Sequence, residues 1–227
     1  MTQLDRPTLD GPALDGPRVD PANGQQPRAL VVMLHGLGAD GNDLISIAPL
    51  WAPHLPFAAF VAPNAPQPCD MAPFGRQWFS LQDRDPQAML AGVRAAAPTL
   101  DAFLDAELDR LGLGSDRLAL VGFSQGTMTA LYTAPRRSTP VAGIVGYSGA
   151  LLTGPDFTSA VTATPPVLLI HGTADPIVPF GAMAAARQGL ESAGFMVETH
   201  ERPGLGHGID EEGLRLALGF LQRVLND

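Results

Sequence analysis

A serine set between glycines at 122–126, an aspartate at 175 and a histidine at 207 are the residues whose types could do covalent chemistry in this chain. Gly122-Phe123-Ser124-Gln125-Gly126 follows the apolar run 118–121 (LALV) and precedes Thr127-Met128-Thr129-Ala130-Leu131, which can continue as helix. This is the G-x-S-x-G pattern in its required strand–turn–helix setting. A tight turn lifts the serine hydroxyl clear, and the glycines admit neighbouring chain where a Cβ would collide. The plainer reading of the same residues is a glycine-rich turn whose serine caps a helix.

A serine hydroxyl is a weak nucleophile until a base takes its proton and an acid orients that base. Chains that use this turn in an open α/β sheet place the acid next and the histidine last. Here the run 167–170 (VLLI) leads into His171-Gly172-Thr173-Ala174-Asp175-Pro176-Ile177-Val178-Pro179, so Asp175 falls on a loop after a strand. Pro203-Gly204-Leu205-Gly206-His207-Gly208 comes next, and the glycines beside His207 let the loop turn its imidazole back towards the serine. Glu201 and Asp210 are rival acids, and an aspartate before proline also suits a plain turn. Of the other histidines, His200 sits in a weak strand candidate, His35 and His171 end strands and suit loop orientation, and His54 reads as surface.

Acyl transfer also needs N–H donors for the developing oxyanion. One is the backbone N–H of Gln125, directly after the serine. The loop His35-Gly36-Leu37-Gly38-Ala39-Asp40-Gly41, after the run 29–34 (ALVVML), offers the second at Leu37. The same loop spells G-x-G-x-x-G through Gly36, Gly38 and Gly41, which is the dinucleotide fingerprint. That fingerprint wants an acid about twenty positions on, at the end of the next strand. Here that strand ends Val61-Ala62-Pro63-Asn64, with no carboxylate before Asp70, so dinucleotide binding at this loop is the weaker alternative. A non-catalytic module that binds acyl groups or esters on the same scaffold is the other.

Several elements must position these groups. The runs 29–34, 57–62, 118–121, 141–147 and 167–170, with 197–200 as a weaker one, are apolar at consecutive positions. Such runs suit strands covered on both faces, and hence a parallel sheet. A helix is expected from Pro98, where Leu100, Phe103, Leu104, Leu108 and Leu111 fall at helical spacing. A last helix, capped by Asp210, carries a stripe of Leu214, Leu218, Leu221 and Leu225. The alternation predicts one α/β domain over 28–227, with a mostly parallel central sheet and helices on both faces. Residues 63–96 break the rhythm and read as an insertion near the carboxyl edge of the sheet, where such folds place their sites. Residues 1–27, with prolines at 7, 12, 17, 21 and 27, read as an arm, either flexible or laid on the domain as an edge strand.

Composition narrows the chemistry further. The net charge is −9, and every one of the 14 basic residues is arginine. A chain without lysine has no Schiff-base lysine and no P-loop lysine. An acidic chain without a basic stretch does not suit nucleic acid. A single cysteine, Cys69, allows no internal disulfide and no cysteine-based zinc site, and no metal or cofactor is expected. No apolar run approaches the roughly 18 residues of a membrane span, and the opening residues lack an apolar signal core, so a cytoplasmic protein is expected.

Taken in order, the 35–41 loop, the Ala62-Pro63-Asn64-Ala65-Pro66 turn, Gln77-Trp78-Phe79, the 122–126 turn, the 171–179 run and Gly206-His207 resemble the phospholipase/carboxylesterase family. This is the bacterial branch of α/β-hydrolases related to acyl-protein thioesterases, and the likeness spans 28–225. It implies a single-domain α/β-hydrolase fold without a large cap domain. It implies hydrolysis of small carboxylic esters, thioesters or lysophospholipids through an acyl-enzyme on Ser124, with Asp175 and His207 completing a triad and Leu37 and Gln125 as oxyanion donors. The partner is then a small-molecule ester, and a homodimer is left open. Trp78, Phe79, Met71 and Phe74, with Ile177 and Val178, are candidates for the pocket wall, although aromatic and methionine residues as readily form plain core.

Overall fold

The computed structural model describes residues 14–225. Its sheet has seven strands: β1 (Arg18–Val19), β2 (Ala29–Leu34), β3 (Ala58–Val61), β6 (Leu118–Phe123), β7 (Gly143–Tyr147), β8 (Val167–Gly172) and β9 (Val197–Arg202). A separate two-stranded hairpin pairs β4 (Gln67–Pro68) with β5 (Arg76–Gln77). The sheet order is β1-β3-β2-β6-β7-β8-β9, and every pairing is parallel except that of β1 with β3. The consecutive apolar runs explain this arrangement, because a parallel strand is buried on both faces. Leu30, Val32, Leu118, Leu120 and Leu169 point to one core, and Val31, Met33, Ala119, Val121 and Leu168 to the other.

Helices cover both faces. On one lie α3 (Pro86–Leu111), α4 (Gln125–Thr133), the short α5 (Phe157–Ala160) and α6 (Gly181–Ser192). On the other lie α1 (Gly41–Ile45), α2 (Ala48–Trp51) and α7 (Glu211–Leu225). The last helix forms as its capping aspartate suggests: the Gly213 N–H donates to the Asp210 carboxylate at 2.8 Å.

The expectation of a helix from Pro98 needs correction. The helix starts twelve positions earlier, where the Asp85 carboxylate accepts the Gln87 N–H at 2.8 Å and Pro86 takes the first helical position. Pro98 lies inside it on an exposed face, where a carbonyl left without its helical donor can meet water, while Val93, Ala96 and Ala97 bury the preceding turns. The insertion is shortened to match, since residues 86–96 belong to α3 and the stretch before them carries only the short β4–β5 hairpin.

Residues 1–13 of the arm lie outside the described residues. Beyond them, β1 adds to the edge of β3, with Arg18 opposite Val61 and Val19 opposite Phe60. The arm is fastened there by the Ala62 N–H donating to the Pro17 carbonyl at 3.1 Å and by Arg18 reaching the Glu107 carboxylate of α3 at 2.5 Å. Burial pushes the Glu107 carboxyl up, but Arg18 and Arg110 together hold it below its ordinary value. Within the described part of residues 1–27, Arg18–Val19 therefore form a short edge strand of the same sheet.

Candidate active site

Strand β6 runs into Ser124, and α4 starts at the next residue. The turn between them is strained: Ser124 has φ 53° and ψ −114°, a region that non-glycine residues rarely enter. Two close approaches enforce it. A Cβ on Gly126 would stand 1.9 Å from the Leu34 carbonyl oxygen, and one on Gly122 would stand 2.5 Å from the Thr127 nitrogen. The Ser124 N–H is tied to the Tyr147 carbonyl of β7 at 2.9 Å. Strain of this kind persists only where the surroundings over-determine it, and it clusters at functional sites.

Asp175 and His207 come together from the ends of β8 and β9. The His207 Nδ1–H donates to Asp175 Oδ2 at 2.8 Å. The other oxygen, Oδ1, accepts the N–H groups of Ile177 and Val178 at 2.8 and 2.9 Å. Burial pushes the Asp175 carboxyl up, yet the His207 hydrogen bond and the two amides outweigh it and hold the group below its ordinary value. His171 steadies the same loop, with Nε2 donating to the Val178 carbonyl at 2.9 Å and lying 3.3 Å from Asp175 Oδ2. The loop bearing His207 is closed at its neck by Arg202, which grips both Asp210 oxygens at 2.9–3.0 Å. Asp210 is thus spent on Arg202 and on capping α7, and Glu201 lies exposed on β9. Neither rival acid is next to His207.

Ser124 and His207 open into one cavity of about 350 Å³, together with Leu37 and the ring of Phe123, whose centroid lies 4.8 Å from that of His207. Among the described residues no hydrogen bond yet joins Ser124 to the imidazole, a contact that in ligand-free enzymes often tightens only around substrate. The backbone N–H groups of Leu37 and Gln125 are likewise not taken up by any acceptor among the described residues. Leu37 lines the cavity, and Gln125 opens the helix whose first turn follows Ser124.

The Leu37 loop is laced to its surroundings. The Gly38 N–H donates to the Arg76 carbonyl at 2.9 Å, and the Arg76 N–H donates to the Ala39 carbonyl at 2.8 Å. His35 is fully buried and bridges two segments: its Nε2 accepts the Ala65 N–H at 3.0 Å, which leaves Nδ1–H to donate to the Gly36 carbonyl at 2.7 Å. Burial lowers its pKa and so favours this neutral form. The glycines of the loop serve its shape and packing, Gly38 by its φ of 80° and Gly41 by its closeness to neighbouring chain. A Cβ on Gly41 would meet the Ala62 carbonyl oxygen at 2.1 Å, and the Gly41 N–H donates to Asn64 Oδ1 at 2.9 Å.

The expected pocket wall is partly displaced. Ile177 lines the cavity and is 54% exposed at its rim. Trp78 and Phe79 do not line it; they are 1% and 2% exposed and packed in the core against α3. Met71 is half exposed, away from the lining. The segment 77–79 instead crosses beneath the site. Gln125 Oε1 accepts the Trp78 N–H at 2.8 Å, its Nε2 donates to the Phe79 carbonyl at 2.7 Å, and Trp78 Nε1 donates to the His35 carbonyl at 3.0 Å. The sequence carried no signal for this bridging work by the Gln125 side chain. Leu81, Met89 and Met128 supply much of the apolar wall in place of the aromatics.

Comparison with known proteins agrees with this geometry. Residues 17–225 match the model of the phospholipase/carboxylesterase family. The chain is 31% identical over 196 residues to esterase YpfH of Escherichia coli, covering 86% of this chain and 83% of that protein. It is also 31% identical over 210 residues to acyl-protein thioesterase 1 of Schizosaccharomyces pombe, covering 87% of this chain and 91% of that one. Among solved structures, esterase PE8 superposes with a TM-score of 0.89 at 41% identity, covering 93% of this chain and 99% of the other. No helix among the described residues is long and apolar enough to cross a membrane. The strained serine turn, the aspartate–histidine pair and the extent of these likenesses lead to one placement: the chain belongs to the phospholipase/carboxylesterase family.

Proposed function

We propose that the protein is a serine hydrolase of small carboxylic esters, with Ser124 as nucleophile, His207 as base and Asp175 as the acid that orients it. The observation that carries this reading is the His207–Asp175 hydrogen bond at 2.8 Å beside a serine held at φ 53° in a shared cavity. His207 Nε2 takes the Ser124 proton as Oγ attacks the ester carbonyl. The N–H groups of Leu37 and Gln125 receive the charge that develops on the carbonyl oxygen. The imidazolium, steadied by Asp175, then protonates the leaving alcohol, and water repeats the sequence on the acyl-enzyme. The relatives named esterase and acyl-protein thioesterase support acyl transfer of this kind.

The test combines mass spectrometry with turnover. Treatment with a fluorophosphonate probe should give a single adduct that maps to Ser124, and 4-nitrophenyl esters from acetate to decanoate should be hydrolysed. Ser124→Ala should abolish the adduct and lower turnover by several orders of magnitude with the fold retained. Folded protein that forms no adduct and turns over no ester would overturn the reading.

A further inference from the structure

Apart from the imidazole of His207, the cavity at Ser124 is lined by one ionisable side chain, Arg84. It lies on the exposed turn that leads into α3, a turn fixed at its base by the capped start of that helix. Its neighbours Asp83 and Asp85 are exposed and engaged by local backbone: Asp83 Oδ1 accepts the Asp85 N–H at 2.9 Å, and Asp85 Oδ1 accepts the Gln87 N–H at 2.8 Å.

What sets Arg84 apart is its lack of a partner. The other described arginines each meet a carboxylate, a carbonyl or an aromatic ring. Among the described residues Arg84 alone has none of these. In a chain of net charge −9, the one guanidinium uncommitted among the described residues lines the reaction cavity, whose remaining wall is mostly apolar. A guanidinium in such a cleft binds carboxylate or phosphate through charge-assisted hydrogen bonds, about twice as strong as neutral ones. Apolar walls strengthen the contact by excluding water.

We infer that the site takes esters carrying an anionic group held away from the scissile carbonyl by an apolar spacer, with Arg84 as the specificity-determining residue that receives the anion. The inference rests on the reading of this cavity as an ester-hydrolase site. The anion has two chemical sources, a carboxylate at the far end of a dicarboxylic acid monoester or a phosphate on the leaving alcohol.

Full-length wild type, Arg84→Gln, Arg84→Glu and Arg84→Lys would be compared on two matched pairs of substrates. One pair is the mono-4-nitrophenyl ester of glutaric acid against 4-nitrophenyl pentanoate. The other is butyrylglycerol phosphate against butyrylglycerol. The readout is the anionic-to-neutral ratio of kcat/KM within one preparation, which cancels differences in folding or active fraction. Arg84→Gln should lower that ratio about tenfold, as loss of one charge-assisted contact does. Arg84→Glu should lower it further, and Arg84→Lys should restore most of it. A fall confined to the glutarate pair places the anion on the acyl side, and one confined to the phosphate pair places it on the alcohol side. Ratios unmoved in both pairs, with neutral esters still hydrolysed, would overturn the role of Arg84 alone. A wild type that hydrolyses none of the four would overturn the hydrolase reading together with it.

Discussion

The two flanks of Ser124 are held by different physics. On the Leu37 side most fastenings are uncharged: the Gly38 and Arg76 amides, the neutral buried His35, the Gly41 amide on Asn64, and Trp78 on the His35 carbonyl. The one guanidinium among them, Arg76 on the Ala65 and Pro66 carbonyls, keeps its charge at every working pH. On the His207 side nearly every fastening involves a group that can ionise, from Asp175 and His171 to the Arg202–Asp210 clasp. The division follows from the work proposed for each flank. Donors that receive a developing oxyanion act through preorganised dipoles, and a fixed, uncharged frame keeps them aimed at little cost. A proton relay must contain groups that change charge, so its frame is built from partners able to answer that change. Acidity should therefore loosen the His207 flank first, and reach the Leu37 flank only where it forces a proton onto the buried His35, whose pKa burial holds below the ordinary value.

Three experiments would break or sharpen this contrast. The largest effect is expected from Asp175→Asn, which leaves the loop but removes the negative acceptor for the imidazole. Ester kcat should fall by about 10⁴, measured on 4-nitrophenyl butyrate at a temperature where the variant remains folded. A drop of less than tenfold would mean that Asp175 does not serve the base. Next is Gln125→Met on the neutral flank, which keeps the length of the side chain but strips the Trp78 N–H and the Phe79 carbonyl of their buried partners. Each unsatisfied group costs about 1–3 kcal/mol, so urea unfolding should shift by several kcal/mol, and by the same amount at pH 5 and pH 8. A pH-dependent loss would contradict a neutral frame.

The smallest effect tests the charged flank. Arg202 holds the Asp210 carboxyl below its ordinary value, with burial opposing and the Gly213 amide assisting. A carboxylate held low stabilises the fold at neutral pH and loses that contribution as pH falls through the lowered value. Asp210→Ala should cost about 1 kcal/mol at pH 7, the usual worth of a helix cap. The gap from wild type should then close on acidification, read as converging thermal midpoints. A gap that widens in acid would reverse the assignment.

How much of this was legible in the sequence depended on how local each signal was. The strands at 29–34 and 167–172, the serine turn and the glycine loop around His207 are set by neighbouring residues, so type and spacing sufficed. The order of Ser124, Asp175 and His207 could be read because each follows its own strand. The fate of the insertion could not. Trp78 and Phe79 look like pocket wall on composition, yet whether they face the cavity or the core is decided by Gln125, 46 and 47 positions away. The Asp-Arg-Asp run at 83–85 belongs to no motif, and only the fold shows that its arginine lines the cavity. Pro98 marked a boundary by its chemistry but sits inside a helix because its face is exposed.

The short strand β1 bears on how copies of the molecule meet. An open sheet edge is a template for another chain, and β3, with its Ala-Ala-Phe-Val sequence, would be an adhesive one. Arg18 and Val19 cover it, and Pro17 and Pro21 stand at either side, where a further strand would need donors that proline lacks. The opposite edge, β9, presents Glu198, Glu201 and Arg202 instead of an apolar face. Self-association by strand addition is thus discouraged at both ends of the sheet, which leaves the helical faces for any pairing of copies. Trimming the chain past residue 19 would uncover the adhesive edge, so the arm acts as a built-in guard against aggregation.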